Sequence, residues 1–161
     1  MLSGANLGNR YDNLTEARRL LEQKLGTPEA VSPVYETQAW GGQSTGDYLN
    51  QVLLFQVTGD ARSVLSACLD TEKEMGRVRT AARWTDRIID LDVLFFGNEV
   101  MDAPDFQLPH PRMTERRFAL IPLVDVCPQW IHPICRKSAV ELLAACTDDL
   151  RVVLYTEEVK A

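Results

Sequence analysis

Between residues 12 and 25 apolar side chains recur at helical spacing, with Leu14, Ala17, Leu21 and Leu25 on one face. That spacing predicts a helix with Asp12 as its cap and Gly26 just past its end. VSPVYETQAW (31–40) predicts an irregular strand, kept to an edge or bulge by Pro33. GGQSTG (41–46) predicts a flexible loop, and YLNQVLLFQV (48–57) a strand that becomes apolar on both faces in its second half. A second helical stripe, Val64, Leu65, Cys68, Leu69 and Met75, predicts a helix over 61–75 between Asp60 as cap and Gly76, with Glu72 interrupting the apolar face.

Period two takes over in IIDLDVLFF (88–96). Ile89, Leu91, Val93 and Phe95 form one apolar face, while Asp90 and Asp92 share the other with Ile88, Leu94 and Phe96. QLPHP (107–111) predicts a short extended piece, 114–126 a helix, Ser138 the cap of another helix to about 146, and RVVLY (151–155) a late strand. The order β-α-β-β-α-β followed by extra helices predicts an α+β sandwich with an antiparallel or mixed sheet. No repeat or linker divides the chain, so residues 1–161 read as one domain. The first strand has only Met1 to Ser3 ahead of Gly-Ala-Asn: it is very short, or it begins before residue 1.

Composition adds exclusions. With 161 residues, 45% hydrophobic and 25% charged, the chain can bury a core without disulfides or a structural metal. Its net charge of −6 argues against a nucleic-acid or membrane-surface protein. Cysteines 68, 127, 135 and 146 show no metal-ligand spacing, which suits free thiols in a reducing compartment. No apolar run approaches the roughly 20 residues that span a bilayer, and MLSGANLGNR lacks the anatomy of a signal peptide. The expectation is a soluble cytoplasmic protein.

Against that acidic background RVRTAARWTDRIIDLDVLFFG (77–97) stands out: Arg77, Arg79, Arg83 and Arg87 approach Asp90 and Asp92. Two carboxylates about 7 Å apart along a strand and partly shielded from water repel each other unless a cation lies between them. Such hard oxygen ligands suit Mg²⁺, although two solvated aspartates on an edge strand would give the same spacing. Arginine donates paired, charge-assisted hydrogen bonds to phosphate oxygens, and Trp84 offers a face for a planar ring. The connection that carries them runs to about eleven residues, longer than is usual. His110 is rigidly placed between Pro109 and Pro111 and can donate to phosphate; Arg112, Arg116 and Arg117 form a second basic group. Tyr48 and Asn50 share a strand face, where Asn50 can bond an amide-like ring edge. Glu72, if buried, needs an arginine or a ligand as its partner. Metal carboxylates, arginines and a stacking ring together point to a nucleotide-dependent phosphoryl-type transfer.

The same segment closely resembles the signature of the 6-hydroxymethyl-7,8-dihydropterin pyrophosphokinase family. GANLGNR, VYET (34–37), DYLNQV (47–52), FGNEV (96–100), LPHPRM (108–113) and the arginine before Phe118 extend the resemblance over nearly the whole chain. It implies a ferredoxin-like α/β/α sandwich with a mainly antiparallel sheet. It also implies transfer of the β,γ-diphosphate of ATP to the pterin's hydroxymethyl oxygen, with release of AMP, in folate biosynthesis. Two Mg²⁺ ions would be held by Asp90 and Asp92, with ATP as co-substrate. Arg77, Arg79, Arg87, His110 and Arg116 match the phosphate-binding set, with Arg83 covering the site and Glu72 placed on the ATP side. The pterin pocket is similar to Thr37, Tyr48, Asn50, Trp84 and Phe118. Arg77, Arg87, Asp92 and Arg116 are the expected catalytic residues of a monomer acting on small molecules.

Departures from the family pattern are local. Thr85-Asp86 stands where the family commonly has Gly-Pro, Gln38-Ala39-Trp40 follows Thr37, and Pro111 replaces a residue that is often aromatic with a hydroxyl. The alternatives are a catalytically silent nucleotide- or RNA-binding module on the same fold, or another Mg²⁺-dependent transferase with a DxD pair. Released AMP, ADP or pyrophosphate separates the enzymes.

Overall fold

Strand β1 (Leu2–Ala5) lies inside the sheet, antiparallel to the central strand β4 (Tyr48–Leu54) on one side and to the edge strand β5 (Asp90–Asp92) on the other. The computed structural model describes residues 1–39, 46–77 and 86–156. Beyond β4 come β3 (Tyr35–Thr37) and then β8 (Val152–Leu154), so the sheet runs β5-β1-β4-β3-β8 with every pairing antiparallel. The two-residue strand β2 (Ala30–Val31) also pairs with β4. A separate hairpin joins β6 (Met101–Ala103) and β7 (Phe106–Leu108).

Alternation along the strands feeds two cores, one on each face. On one side Ala5, Leu49, Leu53, Leu91 and Ile89 meet Leu14, Ala17 and Leu21 of α1 (Arg10–Leu25) and Val64 and Cys68 of α2 (Ala61–Glu74). On the other, Leu2, Val52 and Leu94 meet Leu120 and Leu123 of α3 (Arg117–Val126) and Leu142 of α4 (Ala139–Ala145). Helices on both faces and the β-α-β-β-α-β order make a ferredoxin-like α/β/α sandwich.

Asp60 and Ser138 cap their helices as expected: Asp60 accepts from Ser63 N, and Ser138 forms a reciprocal box with Glu141. The first helix begins two residues earlier than predicted, because Asn9 and not Asp12 is its cap and accepts the Asp12 N–H. Pro33 falls in the break between β2 and β3, and β3 is an interior strand, not an edge. Strand β4 stops at Leu54, three residues short of the prediction. On α2 the buried face runs Ala61, Val64, Cys68, Thr71 and Glu72, which turns Leu69 outward to 38% exposure. The predicted strand over 88–96 narrows to Asp90–Asp92, since β1 offers only Leu2, Ser3 and Gly4 as partners. A 3-10 turn (Met113–Glu115) delays α3, and the strand β6 was not foreseen. The predicted loop at 41–46 lies outside the described residues, apart from Gly46. Among the described residues no helix is long and apolar enough to cross a membrane, and the four cysteines are unpaired.

Candidate active site

Because β5 alternates, Leu91 enters the core while Asp90 and Asp92 face the opposite way, into a cavity of about 510 Å³. The end of α2 brings Arg77 to its wall, and the approach to β5 brings Arg87. From the other side come His110, after β7, and Arg116 and Phe118, where α3 starts. Thr37 of β3 with Tyr48 and Asn50 of β4 lie on the same sheet face as Asp90, on the far side of β1.

Asp90 is held from two sides: Arg77 Nη1 donates to its Oδ1 at 2.6 Å and Arg87 Nη1 to its Oδ2 at 2.7 Å. Arg77 is fixed from behind by Glu72, whose Oε1 accepts from the same Nη1. That carboxylate is only 2% exposed and also accepts the Leu91 N–H at 2.8 Å. Glu72, expected on the ATP side, is not among the residues that line the cavity. Its side chain lies behind the cavity wall, where it ties α2 to β5 and sets Arg77; the partner it needed is an arginine.

Asp92 has a different environment. Burial first, and then the neighbouring Asp90 charge, push its carboxyl up to about 7, with Arg116 pulling the other way. A half-buried carboxylate under that pressure is what a hard cation relieves, so the donor set fits Mg²⁺. His110 is pushed down to about 4, mainly by burial and then by Arg116, and so is neutral near pH 7. Its Nδ1 accepts the Arg112 N–H at 3.2 Å, which leaves the ring proton on Nε2, a donor for an anionic oxygen. Burial lowers the Arg116 guanidinium, whose Cζ lies 5.7 Å from the centroid of the Phe118 ring.

Across β1 from Asp90, Asn50 Nδ2 donates to Thr37 Oγ1 at 2.8 Å, with both residues buried. Register places Asn50 opposite Gly4, and a Cβ on Gly4 would stand 2.9 Å from Asn50 Oδ1. Glycine is needed there for close approach. Arg10 braces the same side, pairing with Glu36 at 2.7 Å and donating to Asp47 O at 2.8 Å.

The cavity therefore unites Thr37, Tyr48, Asn50, Arg77, Arg87, Asp90, Asp92, His110, Arg116 and Phe118. Arg79, Arg83, Trp84, Trp40 and Thr85 lie outside the described residues. Gly4 and Gln38 also line the cavity without having been assigned a role, as do Pro111 and Arg112. The Gly-Ala-Asn stretch was a visible signal for Gly4.

Comparison with known proteins identifies relatives of the chain. Residues 1–128 match the family model described as 7,8-dihydro-6-hydroxymethylpterin-pyrophosphokinase (HPPK). A 2-amino-4-hydroxy-6-hydroxymethyldihydropteridine pyrophosphokinase from Aquifex aeolicus is 36% identical over 138 residues, covering 86% of this chain and 85% of that protein. The Bacillus subtilis protein of the same name is 36% identical over 127 residues, covering 78% and 75%. Among solved structures, the crystal structure of an HPPK-DHPS in complex with substrates superposes with a TM-score of 0.69 at 14% identity. That match covers 89% of this chain and 42% of the other, and it supports the fold alone.

Proposed function

From a chain that belongs to the 7,8-dihydro-6-hydroxymethylpterin-pyrophosphokinase family, we propose that the cavity over β5 is where ATP and the pterin alcohol meet. The protein is an ATP-dependent diphosphotransferase of folate biosynthesis. The pterin's hydroxymethyl oxygen attacks the β-phosphorus of ATP, the bond from that phosphorus to the α-bridging oxygen breaks, and AMP leaves. The hydroxyl proton is lost, and the pterin diphosphate remains.

The observation that carries the assignment is the meeting, in one cavity, of Asp90 and Asp92 with Arg77, Arg87, His110 and Arg116, beside the Thr37–Asn50 pair on the same sheet face. Arg77, Arg87 and Arg116 bind the phosphate oxygens and offset the charge that develops on them, and neutral His110 donates from Nε2. Asp90 and Asp92 would hold two Mg²⁺ ions, which when bound would neutralise phosphate charge and polarise the β-phosphorus. Asn50 and Thr37 give the pterin a polar edge, and Tyr48 and Phe118 an apolar one. Arg79 and Arg83 are assigned to the ATP phosphates and Trp84 to the pterin ring. Residues 1–161 act as one catalytic domain, as a monomer in the cytoplasm, where reducing conditions suit four free thiols.

The test is nucleotide analysis after mixing protein, ATP, Mg²⁺ and 6-hydroxymethyl-7,8-dihydropterin. Pterin-dependent AMP that disappears on chelation is expected. ADP or free pyrophosphate would reassign the chemistry, and bound but unconsumed ATP would make the protein a silent nucleotide-binding module.

A further inference from the structure

Asn6, the residue after β1, makes three hydrogen bonds to residues 80 and 81 positions away in sequence. Its backbone N–H donates to Arg87 O at 3.1 Å, its side-chain Oδ1 accepts the Arg87 N–H at 2.6 Å, and its Nδ2 donates to Asp86 Oδ1 at 2.7 Å. The Arg87 N–H fixes which way the amide points. Only Oδ1 can face a backbone donor, so the NH₂ group must face position 86, and an acceptor is required there. A carboxylate meets that requirement with a charge-assisted bond. Asn6 is 8% exposed, so the bond forms where water competes poorly.

What this grip controls is Arg87. With its N–H and its carbonyl both held by one residue, its backbone has little freedom, and its guanidinium reaches Asp90 at 2.7 Å along the cavity wall. We propose that Asp86 is a positioning residue for the transfer reaction: clasped by the Asn6 amide, it sets the backbone at Arg87 and so aims that guanidinium at the ATP phosphates. Asp86 is not on the cavity lining and acts through its neighbour. The latch does by hydrogen bonding what a conformationally fixed residue would do by its ring, and it makes positions 6 and 86 a matched donor and acceptor.

The proposal rests on the assignment of Arg87 to ATP, and a charge-swap cycle tests it. Asp86→Ala should raise the KM for ATP about tenfold, the worth of one charge-assisted bond, with the KM for the pterin unchanged. Asn6→Asp places two carboxylates face to face and should be worse. Combining Asn6→Asp with Asp86→Asn restores one acceptor and one donor at unchanged net charge, and should return the KM for ATP to within about threefold of the parent. An unchanged KM in Asp86→Ala, or a double variant no better than Asn6→Asp, would overturn the latch. If the unaltered protein makes no AMP, the functional assignment is what fails. The same cycle, read as affinity for a fluorescent ATP analogue, then still decides for or against the coupling of positions 6 and 86.

Discussion

Arg87 Nη1 lies 2.7 Å from Asp90 Oδ2, so a residue assigned to phosphate is paired with a residue assigned to metal. With Arg77 on the other oxygen, Asp90 has two guanidinium partners. A divalent ion must displace at least part of that pairing, whereas a triphosphate gives the arginines somewhere else to go.

Mn²⁺ alone should therefore bind weakly. With a non-hydrolysable ATP analogue present its affinity should rise by at least about tenfold, the worth of one such pair. Metal titration by electron paramagnetic resonance, with and without the analogue, checks this; equal affinities would refute it.

The pH dependence of stability follows from Asp92. Its carboxyl is pushed up to about 7 in the folded chain, against an ordinary value of about 3.9. Folding favours the protonated form, so the stabilising contribution is complete below the ordinary value and is lost as the pH rises through 7. His110, pushed down to about 4, acts in the opposite sense, losing its contribution as the pH falls from its ordinary value of about 6.5. Comparison with Asp92→Asn isolates the first effect. The variant should gain on the parent by up to the order of 4 kcal/mol between acid and mildly alkaline conditions in ligand-free denaturant melts.

Glu72 carries a structural prediction. Glu72→Ala leaves the Leu91 N–H without its acceptor and Arg77 without one of its two carboxylates, at a cost of about 3 kcal/mol. Urea unfolding measures it, and Glu72→Gln, which keeps an acceptor for Leu91, should lose less.

Gly4→Ala tests the Thr37–Asn50 side of the cavity. The added methyl would stand 2.9 Å from Asn50 Oδ1 and force that buried amide off Thr37. The KM for the pterin should rise about tenfold, one lost hydrogen bond, while the KM for ATP holds. A rise in both would mean a general distortion.

Much of this was legible in the sequence because it is local. The Asp90–Asp92 alternation, the caps at Asp60 and Ser138 and the late strand at Val152 each depend on a few adjacent residues. Misreadings arose where distant partners decide. Asp12 was read as the cap of the first helix, but Asn9 holds that place and its side-chain oxygen accepts the Asp12 N–H. The length of β5 is set by β1. Asn6 and Asp86 are invisible as a pair until the sheet brings them together.

The placement of β8 has a kinetic consequence. By pairing with β3 it turns the strand that carries Thr37 from a rim into an inner rung of the ladder. Amide protons at Tyr35 to Thr37 should then exchange with deuterium at the slow pace of the core, and fraying should concentrate in β8, where Leu154 is 59% exposed. The Thr37 side of the cavity is thus shielded from solvent by a strand that does not itself line the cavity.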